Sequence, residues 1–122
     1  MSSEDAALEV NEGLWIGPTV IEGYDELPDG WGIMTFNNDD QYKRQKYEGS
    51  MVKGVMQGHG TLWWGDGSYY TGQFENNMKN NNGTIFYANG DIYSGGWSEE
   101  KKSGESGMYM YNGGKNTDPS AV

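Results

Sequence analysis

The sequence predicts an all-β protein: an antiparallel meander built from about four stacked β-hairpin repeats. The first observation behind this is a period. Tyr47-Glu48-Gly49, Tyr70-Thr71-Gly72 and Tyr93-Ser94-Gly95 follow one another at a fixed spacing of 23 residues, and a period in that range marks a repeat architecture. The second is the content of each copy. Gly60-Thr61-Leu62-Trp63-Trp64 aligns with Gly83-Thr84-Ile85-Phe86-Tyr87, and the copies close on Asp66-Gly67 and Asn89-Gly90, dipeptides that accept positive φ and signal hairpins. The third is that no window sustains apolar residues at helical spacing, which excludes helical repeats. A lone hairpin is marginal in water, so the units must stack, and the hairpin count gives roughly seven or eight strands.

The elements follow in order. Residues 1–13 carry Glu4, Asp5, Glu9 and Glu12 with little to bury, and are expected to be a flexible acidic arm. Residues 14–46 read as a degenerate first repeat. Ile21-Glu22-Gly23 stands for the tyrosine triplet, Gly30-Trp31-Gly32 for Gly58-His59-Gly60, and Ile33-Met34-Thr35-Phe36 for the second strand. An insertion over Gln41–Lys46 then holds Lys43, Arg44 and Lys46, a solvated loop whose cations would discourage edge pairing. The array proper spans 47–69, 70–92 and 93–115, the last copy carrying one extra residue, and 116–122 is a tail. Asn76, Asn77 and Asn80–Asn82 replace spacer glycines, as asparagine tolerates left-handed backbone.

Composition narrows the function. At 34% hydrophobic residues with 20 Gly, the chain falls below the ~45–50% of ordinary globular domains. Five Trp, nine Tyr and three Phe each offer roughly 150–250 Å² to bury, which suits a thin sheet held by aromatic ladders. A formal net charge of −10 repels phosphate backbones and anionic headgroups, so nucleic acid and membrane are disfavoured partners. The absence of cysteine excludes a disulfide framework and thiolate zinc sites and fits a reducing compartment. With no signal-peptide pattern and no apolar run near ~18 residues, the expectation is a soluble cytoplasmic protein.

Sites for chemistry are scarce. The single histidine, His59, sits between two glycines as a turn residue, without the nucleophile–base pairing that covalent catalysis needs. Asp39-Asp40, Asp66 and Asp91 lack the alternation of a calcium loop. Neither Gly58-His59-Gly60 nor Gly65-Asp66-Gly67 precedes a helix with Lys-Ser/Thr. No catalytic, cofactor or metal residues are therefore assigned, and the protein is expected not to be an enzyme.

Tyr47-Glu48-Gly49, a spacer, Gly58-His59-Gly60-Thr61-Leu62-Trp63-Trp64-Gly65-Asp66-Gly67 and then Tyr70-Thr71-Gly72-Gln73-Phe74 resemble the MORN repeat (membrane occupation and recognition nexus). The resemblance is close over 47–97 and extends more weakly to about Lys115 and upstream to about Ile21. It implies a single-layered, curved β-meander that serves as a protein-binding scaffold, with cytoskeletal or ciliary assemblies as the expected setting. Lipid binding, or attachment to a larger enzyme, are the alternatives it implies.

Strand alternation then sets the candidate surface. Leu62 and Trp64 share a face with Ile85 and Tyr87 and with Tyr109 and Tyr111, while Trp63, Phe86 and Met110 share the other. If Asp66-Gly67 alone make the turn, Trp63 faces Tyr70; if Gly65 joins it, Leu62 does and the tyrosines change ladder, since a one-residue slip exchanges the faces. The expected partner-binding groove consists of Trp63, Phe86, Met110, Tyr70 and Tyr93, rimmed by Glu48, Glu75 and Asp91. Its partner would be a basic, apolar protein segment. Edge-to-edge self-association through Met108-Tyr109-Met110-Tyr111 is a further expectation, because no charge guards that strand. Ser120-Ala121-Val122 also matches a C-terminal PDZ ligand.

Overall fold

The computed structural model describes residues 7–103 and 107–111. The chain forms twelve strands among them: β1 (Leu8–Val10), β2 (Gly13–Ile16), β3 (Thr19–Glu22), β4 (Asp25–Pro28), β5 (Gly30–Phe36), β6 (Arg44–Val52), β7 (Val55–Trp64), β8 (Tyr69–Glu75), β9 (Met78–Phe86), β10 (Ile92–Ser98), β11 (Lys101–Lys102) and β12 (Met108–Met110). Ten make one antiparallel sheet in the order β1-β2-β5-β6-β7-β8-β9-β10, with β11 and β12 both on β10, and β3 pairs β4 apart from it. The expected meander of hairpins is present. The strand number is higher than the hairpin count because residues 8–10, placed in the acidic arm, pair with β2, and the first repeat is split into two hairpin segments. The Ser120-Ala121-Val122 motif lies outside the described residues.

Two kinds of turn alternate. At one end of the sheet, Trp64 N–H donates to Ser68 O at 2.9 Å and Gly67 N–H to Trp64 O at 3.1 Å, with Gly67 at φ 96°. Tyr87, Gly90 and Asp91 repeat the arrangement. This is the three-residue loop with a left-handed glycine, so Gly65 does join the turn. At the other end the loops have two residues, both left-handed: Lys53 (47°) with Gly54 (84°), Asn76 (50°) with Asn77 (68°), and Glu99 (48°) with Glu100 (77°). Asn76 and Asn77 thus land where left-handed backbone is required and Asn81 is left-handed within β9, whereas Asn80 and Asn82 are not left-handed.

The odd loop length fixes the register. Leu62 pairs with both Tyr47 and Tyr70, and Ile85 with both Tyr70 and Tyr93. One face, the inner, therefore holds Trp15, Met34, Tyr47, Leu62, Tyr70, Ile85 and Tyr93, all buried. The outer face holds Trp63, Tyr69, Phe86 and Ile92 in one row, each half-buried.

Each tyrosine of the period arches over glycine. Tyr47 Oη donates to Ser50 O at 2.6 Å, Tyr70 Oη to Gln73 O at 2.8 Å and Tyr93 Oη to Gly96 O at 3.0 Å. The ring of each covers the glycine two residues on and the glycine opposite, pairing Gly49 with Gly60 and Gly72 with Gly83. A Cβ at Gly60, Gly83 or Gly107 would fall inside contact distance of the phenol above it. Phe74 and Trp97 stand edge-on between successive tyrosines, at 5.1–5.4 Å centroid separation from Tyr47, Tyr70 and Tyr93, a geometry that adds to area burial.

The same device identifies the opening triplet of the first repeat, and it is not Ile21-Glu22-Gly23. Trp15 Nε1 donates to Pro18 O at 2.8 Å, and its ring lies against Gly17 and Gly32. Trp15-Ile16-Gly17 is thus the opening triplet, while Ile21 stands in the β3–β4 hairpin and is 66% exposed. The sequence signal was obscured because tryptophan replaces tyrosine and the extra residues fall inside the spacer, where β3 and β4 absorb them.

Gly83→Ala is expected to destabilise the fold by about 2–4 kcal/mol through overpacking against Tyr70. Gly65→Ala, where the nearest atom to a new Cβ is Lys43 O at 3.7 Å, should stay within about 0.5 kcal/mol; denaturant midpoints compare them. Burial raises the Tyr47 and Tyr70 phenols above their ordinary value. A raised folded-state value means stability is fully present below the unfolded phenol value near ~10 and declines as pH rises past it. Denaturant midpoints that stay flat through that alkaline window would contradict the arch.

Candidate partner-binding groove

A second 23-residue period runs through the inner face: Met56, Lys79 and Lys102. Lys79 is 6% exposed, and its Nζ sits 5.1, 5.8 and 5.3 Å from the ring centroids of Trp64, Tyr70 and Trp97. One repeat later Lys102 Nζ lies 5.1, 5.3 and 5.0 Å from Tyr87, Tyr93 and Tyr109. In a single-layered sheet the inner rings have no second layer to meet. The lysine stems cover them and the ammonium groups face the negative ring surfaces.

The counter-charge comes from the next two-residue turn. Lys79 N–H donates to Glu100 Oε2 at 2.8 Å, Lys79 Nζ pairs with Glu100 Oε1, and Glu100 N–H returns to Lys79 O at 3.0 Å. The repeat before keeps the geometry and drops the charges. Met56 N–H donates to Asn77 Oδ1 at 2.9 Å, and Asn77 N–H returns to Met56 O at 3.0 Å. At Lys79 the turn supplies glutamate, and at Met56 it supplies asparagine.

That exchange leaves space. A groove of about 640 Å³ opens over Met34, Phe36, Met51, Met56, Leu62 and Trp64, an apolar floor rich in adaptable methionine. Its walls include Arg44 and Glu12 on one side and Lys79 and Glu100 on the other. Arg44, expected in a solvated loop, is instead held. Its guanidinium lies 4.1 Å over the Phe36 ring and donates to Asp40 at 2.8 and 3.0 Å. Those bonds keep the Asp40 carboxyl below the usual carboxylate range. A folded value below the unfolded one stabilises at neutral pH, and that contribution fades as acid titrates the pair.

The expected groove residues do not stand together. Trp63 and Phe86 lie on the outer face with Tyr69 between them, in stacked pairs at 6.4 and 4.5 Å. Met110 extends the same row, opposite Ile92, and is 46% exposed. Tyr70 and Tyr93 are buried on the inner face, because the three-residue loop changed their ladder. The groove itself therefore belongs to the Leu62–Trp64 face. Of the acidic rim, Glu48 faces outward opposite Thr61, and Glu75 lies at the far turn, accepting from Asn80 Nδ2 at 2.8 Å. Asp91 is 0% exposed and accepts from the Tyr109 hydroxyl at 3.3 Å, so it is an internal turn acid and no rim. Met56, Lys79, Lys102, Asn77 and Glu100 were missed by the sequence reading. Their common 23-residue spacing was the signal that could have found them.

Lys79→Met alone is expected to cost about 1–3 kcal/mol, since it strips Glu100 of its partner. Lys79→Met with Glu100→Asn should recover most of that loss by copying the Met56–Asn77 pair. A thermal or denaturant double-mutant cycle reads the difference, and additive losses would overturn the paired account.

A family model for the MORN repeat matches residues 47–69 and 70–92. No curated protein matches the chain significantly. MORN repeats are non-enzymatic modules that generally mediate protein or membrane interaction. The repeat period, the open antiparallel sheet of hairpins and the two matched copies agree: residues 47–92 are two MORN repeats.

Proposed function

We propose that this chain is a non-enzymatic protein-interaction module that holds a partner segment in the inner-face groove. The single observation that carries the reading is the groove over Met34, Phe36, Met51, Met56, Leu62 and Trp64, positioned where the next repeat fills the same space with its own Lys79. Apolar side chains of the partner would lie on the methionines and on Trp64. Anchors of this kind, surrounded by excluded water, concentrate interface energy. The net charge of −10 favours a partner segment that also carries Lys or Arg, and acts mainly on the association rate. It disfavours the membrane alternative, because attraction to anionic headgroups needs a basic cluster. A cytoplasmic, cytoskeletal or ciliary assembly is the setting proposed with it, on the strength of the repeat resemblance alone.

The test uses the molecule's own second repeat as a plug. Met56→Lys with Asn77→Glu should preserve the fold, because Lys79 and Glu100 already occupy the equivalent places. It should weaken capture of partner from native extract by ~2 kcal/mol or more in the affinity then measured. Trp63→Ala, on the outer face, should leave that affinity unchanged. The reverse outcome, with the plugged variant binding normally and Trp63→Ala losing the partner, would move the site to the outer row.

A further inference from the structure

We propose that Tyr24 is a phosphorylation site whose product, phosphotyrosine followed by Asp25-Glu26-Leu27, is read by an SH2-type domain. The residue sits at the tip of the β3–β4 hairpin. Glu22 pairs with Asp25, so Gly23 and Tyr24 alone form the loop, with Gly23 left-handed at φ 63°, the two-residue turn with glycine first. Asparagine, serine or glycine would complete such a turn, yet the second place holds a phenol that is 108% exposed. Among the described residues it makes no ring contact and no hydrogen bond, so it does nothing for the fold.

No other described tyrosine is presented this way. Tyr42 is 61% exposed, but its ring lies 5.0 Å beneath the Arg44 guanidinium and two cations, Lys43 and Arg44, follow it. Tyr47, Tyr70 and Tyr93 are buried, and Tyr69, Tyr87, Tyr109 and Tyr111 are half-buried. A kinase cleft must enclose the whole phenol, and Tyr24 is the described tyrosine that offers its whole ring with no contact to break. Its flanks, Glu22, Asp25 and Glu26, are exposed acids that complement a basic substrate channel. β3 and β4 form a sheet of two strands, an arrangement marginal by itself, so the tip can open into the extended form that kinases and phosphopeptide readers bind.

The reaction is phosphoryl transfer from ATP. The Tyr24 phenol oxygen bonds to the γ-phosphorus, the bond from that phosphorus to the bridging oxygen breaks, ADP leaves, and the phenolic proton passes to the kinase's catalytic carboxylate. The ester adds nearly two negative charges and three strong acceptor oxygens. An arginine fork clamps these oxygens bidentately. Asp25 and Glu26 then extend the acidic strand, and Leu27, half-buried beside the Gly54 turn, supplies an apolar side chain three places after the phosphate.

The full chain is incubated with the catalytic domain of an acidic-site-preferring tyrosine kinase and ATP, sites are mapped by mass spectrometry, and the product is passed over an immobilised SH2 domain. The expected result is one phosphate per chain on Tyr24, lost in Tyr24→Phe, and retention that disappears when the SH2 domain's phosphate-binding arginine is replaced. Leu27→Ala should still accept the phosphate and lose most of the retention. Phosphate distributed over Tyr42 and the sheet tyrosines, or none at Tyr24, overturns the site. Modification at Tyr24 without arginine-dependent retention overturns the reader.

Discussion

A buried aromatic donor that reaches the carbonyl three residues ahead while lying flat across two glycines is the contact on which this sheet depends. A single layer has no opposing layer to bury its side chains, so the rings must bury the backbone instead. Glycine on both strands beneath each ring permits that, and the hydroxyl or indole donor meets a carbonyl that would otherwise face an apolar surface. Trp15, Tyr47, Tyr70 and Tyr93 each do this. Phe74 and Trp97 connect the tyrosines edge to face, so the core of the array is one continuous zigzag of rings.

Covering those rings leaves the inner face with a problem that several positions solve by charge. Lys79 and Lys102 bring aliphatic stems and ammonium groups onto the aromatic surface, and Arg44 does the same over Phe36. Such cation–ring contacts contribute roughly 0.5–2 kcal/mol each, more as they are desolvated, and Glu100 and Asp40 offset the cost of burying the charge. The pattern is broken at a single coupled pair, Met56 of the 47–69 copy and Asn77 of the turn that follows β8. Both members change together, and the change is accompanied by an apolar groove over Met34, Met51 and Leu62. In a repeat protein, variation at one frame position can therefore open a groove without disturbing the register that supports it.

The sequence by itself determined the repeat length, the hairpin unit, the pairing of each tyrosine with glycine two residues on, and the left-handed Asn76-Asn77 turn. These are local properties: period, turn chemistry and side-chain size act within a few residues of one another. It also contained, unread, the Met56–Lys79–Lys102 spacing. What only the tertiary structure decided was parity. Whether Gly65 joins Asp66-Gly67 in the turn is a difference of one residue, and one residue moves Tyr70 and Tyr93 from the side of Trp63 to the side of Leu62. Both loop lengths suit the same dipeptide; burial of the arched rings and the edge-to-face contacts of Phe74 and Trp97 select between them. The place of Asp91 and the true opening triplet at Trp15 were settled the same way. Each depends on which strand lies alongside, and a strand's neighbour is a fact about space that no local stretch of sequence contains.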